Sequence, residues 1–118
     1  MRDIKFERTV WADRQLTKLC PNNDINKLGD LLTSNDFDAQ IIAIEKMIVI
    51  MNEAHERKAH FLDNSYQPNP ITIEELENMT TEELMELSNL AFADFLEDGK
   101  TEVVTEPKKA KAELTKSI

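Results

Sequence analysis

The stretch Ile41-Ile42-Ala43-Ile44-Glu45-Lys46-Met47-Ile48-Val49-Ile50-Met51 decides the fold. At 100° per residue its eight large apolar side chains point in nearly every direction, and only Glu45 and Lys46 interrupt the cylinder. A helix of this kind has to be covered on several sides. Burying eight such side chains contributes roughly 12–24 kcal/mol gross, an upper bound because the unfolded chain already hides part of its apolar surface. Ordering the backbone takes back about 1–2 kcal/mol per residue, so other elements must share the core. Ile48-Val49-Ile50 is β-branched and on its own would suit a strand equally well. The flanks favour a helix: Phe37-Asp38-Ala39-Gln40 and Asn52-Glu53-Ala54-His55-Glu56-Arg57-Lys58-Ala59 contain no Gly or Pro and many helix formers. The expected central helix runs from about 36 to 62. With two charges inside a short apolar run, it does not meet the ~20 residues a membrane span requires.

Outward from this helix, the N-terminal side carries two shorter ones. Thr9 is placed to cap a helix over 9–20 bearing Val10, Trp11, Leu16 and Leu19, which Pro21 closes. Asn22-Asn23-Asp24 is turn-like, and Asp24 is a good cap for a helix over 24–33 with Ile25, Leu28, Leu31 and Leu32 on one face. Gly29 within it costs about 1 kcal/mol against Ala and suggests close packing or simple tolerance. Residues 1–8 alternate charge and apolarity too briefly to distinguish a strand-like arm from a disordered one.

On the C-terminal side, Pro68 and Pro70 make the segment after Leu62 an extended connector. Thr72-Ile73-Glu74-Glu75 matches a capping box, and Thr80-Thr81-Glu82-Glu83 repeats the pattern. Helices over 73–78 and 81–98 follow, with Gly99 as the expected C-terminal cap. The expected fold is therefore all-α: one domain over 1–99, a compact bundle of about five helices around the long central one, and a flexible, disordered charged tail over 100–118. In the helix over 81–98, Leu84, Met85, Leu87, Leu90, Ala91, Phe92, Phe95 and Leu96 spread over about 240°, well beyond the stripe one neighbour covers. Either the helix is sandwiched between two elements or part of it meets another protein. Leu84, Leu87, Phe92, Phe95 and Leu96 are the candidate partner-binding residues.

The net charge of −9 is unevenly placed. Residues 1–63 carry nine Lys/Arg against eleven Asp/Glu, residues 64–99 none against nine, and residues 100–118 five against three. A net-acidic chain without a basic stripe argues against binding nucleic acid or an anionic membrane. The first eight residues lack a signal-type apolar core, and the single Cys20 forms no internal disulfide, so a reducing cytoplasm is expected. Reactive groups are few. His55 and His60 are five apart, about 140° around a helix, where a zinc-protease helix needs four. Asp63, Ser65 and Gln67 suggest a calcium loop, but Pro68 stands where the loop needs glycine. Glu74-Glu75 and Glu82-Glu83 suit helix first turns better than acid–base work. No phosphate cradle, nucleophile motif or CxxC occurs, and the expectation is a non-enzyme without cofactor or metal.

The order of Trp11-Ala12, Leu16, Leu19-Cys20-Pro21, Asp24 and Leu28, then Met47-Ile48-Val49-Ile50-Met51-Asn52-Glu53-Ala54 with Arg57, then Pro70, Glu74-Glu75-Leu76, Met79 and Glu83-Leu84, resembles the tail assembly chaperones of long-tailed bacteriophages and prophages of Gram-positive bacteria. The likeness covers about residues 9–96. It implies a small, mostly helical protein of the host bacterial cytoplasm, absent from the mature virion. Its partners would be the tape measure protein, which it keeps soluble, and tail tube subunits, which it helps recruit. Many such chaperones are made in two lengths by frameshifting, which adds the longer form and further copies of the chain as candidate partners. Pro107-Lys108-Lys109 is encodable as CCA AAA AAG, which contains a slippery A-AAA-AAG heptamer. The alternative is an acidic regulatory protein that mimics nucleic acid, which requires carboxylates on an exposed ridge.

Overall fold

The computed structural model describes residues 3–100, with side chains to residue 96. The chain is all-α: five helices, α1 (Val10–Leu19), α2 (Leu28–Leu32), α3 (Phe37–Leu62), α4 (Ile73–Glu77) and α5 (Thr81–Lys100), with no strand among the described residues. The tail expected beyond Lys100, including Lys108-Lys109, lies outside the described residues.

Each helix begins where a side chain can satisfy its free amides. The Thr9 hydroxyl accepts from Ala12 N at 3.1 Å, and the Asp36 carboxylate accepts from the amides of Asp38 and Ala39. Thr72 and Glu75 form a reciprocal capping box at α4. Thr80 and Glu83 do the same at α5, with Glu83 Oε1 accepting from Thr80 N at 2.9 Å and Thr80 Oγ1 from Glu83 N at 3.1 Å. Replacing Thr72 by alanine, which leaves the Glu75 amide without that partner, is expected to lower stability by about 1 kcal/mol in urea denaturation.

Two boundaries differ from expectation. The single helix expected over 24–33 is a 3₁₀ turn, Ile25–Lys27, followed by the five-residue α2. Asp24 caps this turn: its carboxylate accepts from Asn26 N, and its carbonyl accepts from Lys27 N, three residues on, where an α-helix would bond four on. A further 3₁₀ turn, Pro21–Asn23, precedes it, with Asn22 and Asn23 at φ 56° and 54°, the left-handed region that Asn tolerates better than most residues. The second difference is Gly99, which does not end α5; the helix runs on to Lys100, and one glycine in a helix costs only about 1 kcal/mol.

α3 is the axis, packed against α1, α2, α4 and α5. Ile44, Met47, Ile48 and Met51 are fully buried, Ile41, Val49 and Ile50 half-buried, and Ile42 alone of the eight faces outward. Ala12 and Leu16 of α1, Leu28 and Leu32 of α2, Leu76 of α4, and Leu84, Leu87, Ala91 and Phe95 of α5 complete the core.

Polar groups on α3 tie down the two segments that lack helical bonding of their own. Asn52, only 3% exposed, donates from Nδ2 to Lys5 O at 2.9 Å and accepts from Ile71 N on Oδ1 at 2.7 Å. Glu56 Oε1 accepts from the Tyr66 hydroxyl at 2.7 Å and Asn69 N at 2.8 Å. The N-terminal arm is therefore extended but belongs to no sheet: it lies along a helix, with Glu7 N donating to Met51 O at 3.0 Å and the Glu7 carboxylate reaching Lys58 at 3.1 Å.

Candidate partner-binding site

α5 places its apolar residues in two groups. Leu84, Leu87, Ala91 and Phe95 recur at helical spacing and form one buried stripe against α3, joined by Ser88. Phe92 and Leu96 lie on one flank of that stripe, half-buried and 47% exposed, while Leu90 lies on the other at 59% exposed. Of the five candidate partner-binding residues, Leu84, Leu87 and Phe95 are buried in the core, Phe92 is half-buried and Leu96 is exposed. Leu87 is enclosed in the core, while Leu84 and Phe95 each keep an edge on a surface concavity.

The other two open onto a groove of about 460 Å³ between α5 and the chain around α2. Ile25 and Gly29 form one side, Phe92 and Leu96 the other, and Phe95 and Arg8 line it as well. The Phe92 and Phe95 rings stack with centroids 5.8 Å apart at 12°. A Cβ built on Gly29 would sit 3.8 Å from Phe92 Cζ, so the glycine keeps the groove open beside the ring without being sterically required. Arg8 is anchored where the arm meets α1 and α5. Its Nε donates to Asp13 Oδ1 at 2.8 Å, its Nη1 to Phe95 O at 2.9 Å, and its guanidinium lies 3.9 Å from the Phe95 ring centroid.

The arrangement is a largely apolar trough with the Arg8 guanidinium, paired to Asp13, at its wall. Sequence reading missed Arg8 and Ile25 as parts of it. Gly29, conspicuous inside a helical pattern, was the one signal that something lay close by.

The remaining candidates for chemistry are engaged elsewhere. The Cys20 thiol is buried and donates to Leu16 O; burial pushes its pKa up, and the nearby Asp24 carboxylate adds to this. His60 Nδ1 hydrogen-bonds Tyr66 O at 2.9 Å, and His55 Nδ1 lies 3.4 Å from Glu7 Oε1. Ser65 donates from both its amide and its hydroxyl to Asp63 Oδ1, which holds the Asp63 carboxyl below its ordinary pKa. No group of three or more His, Cys, Asp or Glu able to hold a metal ion occurs among the described residues, and no helix among them is long and apolar enough to cross a membrane. Comparison of the chain with protein-family models, with curated proteins and with solved structures returns no match.

Proposed function

We propose that this chain is a tail assembly chaperone of a long-tailed bacteriophage or prophage, acting in the host cytoplasm and left out of the finished virion. It binds the tape measure protein and keeps it soluble, and it helps recruit tail tube subunits. It has no catalytic role. The observation that carries this reading is the divided apolar surface of α5, one stripe committed to the core and Phe92 and Leu96 left open beside Arg8. An amphipathic helix of a long, helical client fits such a groove, with its apolar side chains against Phe92 and Leu96. The acidic exposed residues of α4 and the start of α5 keep the loaded complex dispersed. The order of residues that resembles this family supports the same reading.

Co-expression with the tape measure protein of the same genome tests it. Soluble tape measure protein is expected with the wild-type chain. Phe92→Ser combined with Leu96→Ser is expected to weaken the complex roughly tenfold or more, with helical circular dichroism and cooperative unfolding retained. Equal recovery of soluble client with and without the chain would exclude the proposal.

A second reading, an acidic regulator that mimics nucleic acid, draws on the exposure of Glu74, Glu75, Glu77, Glu82, Glu83 and Glu86. We place it second because Glu75 and Glu83, though exposed, each hold a carboxylate oxygen on the amide of a capping threonine.

A further inference from the structure

A second concavity lies on another side of α3, between that helix, α4 and the first turn of α5, and it is independent of the chaperone reading. Its volume is about 140 Å³, room for one long side chain. Phe37, Ile41, Met79 and Leu84 supply apolar walls, and Glu45 and Glu77 line it with carboxylates. Glu45 is 5% exposed, although nothing among the described residues places a cation against it. A carboxylate with so little of its surface open to water normally has a cation or several donors beside it. The hydrogen-bond partner Glu45 does have, Glu77, is a second carboxyl.

We infer that this notch is a binding site for a lysine or arginine side chain of a partner polypeptide, with Glu45 and Glu77 as its anionic end. The walls match the methylene stem of such a side chain, which packs on apolar surface while its charged end seeks a carboxylate. Two carboxylates amid apolar walls fall well short of the six to eight oxygens a calcium ion takes, so the chemistry favours an organic cation over a metal. A wholly apolar occupant would seal Glu45 from water without pairing it.

The charges around the notch set its pH dependence. Burial, then the hydrogen bond and charge of Glu77, then the charge of Asp38 on the same helix push the Glu45 pKa up to about 7. From α5 the notch receives Thr81 and Leu84, and Glu83 of that turn is bent back to Thr80 N. Glu45 is therefore about half-ionised near pH 7, and a bound cation pulls the proton off.

The full chain, methyl-labelled at Ile, Leu and Met, is titrated with n-butylammonium chloride at pH 8 and at pH 5.5, with sodium chloride as the ionic-strength control. Saturable shifts are expected at the Ile41 and Met79 methyls and not at Ile25 in the other groove, at least fivefold weaker at pH 5.5. Glu45→Gln, which keeps the shape of the side chain, is expected to abolish saturation while preserving the methyl pattern of the fold, and Glu77→Gln to weaken binding. Linear shifts scattered over the surface, or a Glu45→Gln chain that binds as tightly as wild type, would overturn the inference.

Discussion

Replacing Asn52 by alanine is expected to lower the unfolding free energy by about 3 kcal/mol, with the helical spectrum retained. This residue sits in the middle of α3, 3% exposed, and its amide joins three parts of the chain. Nδ2 donates to Lys5 O in the N-terminal arm and Oδ1 accepts from Ile71 N in the connector. Ile71 is itself 2% exposed, so truncation leaves its N–H buried without that acceptor, at about 1–3 kcal/mol. The Lys5 carbonyl loses its donor as well, and a small cavity adds to the loss. Urea denaturation should show the midpoint moving down with little change in slope. A loss below about 1 kcal/mol would mean that water replaces the amide at both ends and that arm and connector are not coupled through this residue.

The second large effect is a dependence on pH. In the folded protein the Glu45 pKa is raised to about 7 from an ordinary value of 4.5, by burial first and by Glu77 second. Between those two values the folded chain holds a proton that the unfolded chain has released, so stability falls as pH rises. The penalty is absent below the unfolded value and reaches its full size, about 3 kcal/mol, above the folded one. Glu45→Gln removes it. The variant is expected to match wild type near pH 4 and to exceed it by about 3 kcal/mol at pH 8, so the difference between the two pH profiles isolates this one group. Parallel profiles would show that the Glu45 pKa is the same in the folded and unfolded chain.

Much of the architecture was legible because it rests on local chemistry. The central helix followed from the absence of Gly and Pro on either side of its apolar run. The starts of α1, α4 and α5 followed from Thr9, Thr72 and Thr80, whose side chains make the expected bonds to free amides. The break in the helix expected over 24–33 was harder to see, since the same Asp24 side chain caps an α-helix or a 3₁₀ turn equally well. Tertiary roles of polar residues were not legible at all. Asn52 and Arg8 contribute nothing to a hydrophobic pattern, and their partners lie 47 and 87 positions away in sequence.

The candidate site was half legible for a related reason. An apolar arc wider than one neighbour can cover signals excess surface on α5, but periodicity does not say which part of the arc meets α3. Packing assigns Leu84, Leu87 and Phe95 inward and leaves Phe92 and Leu96 at the groove. The helix thus carries core on one side and accessible apolar surface beside it.

The most direct test is a side-chain footprint by carbene labelling of the full chain, alone and mixed with the tape measure protein. Protection is predicted at Phe92 and Leu96, with Arg8 and Ile25 following, while Phe61 and Leu62 at the far end of α3, 83% and 71% exposed, stay as reactive as in the free chain. Unchanged labelling of the α5 groove together with protection at Phe61 and Leu62 would contradict the assignment of this groove to the client.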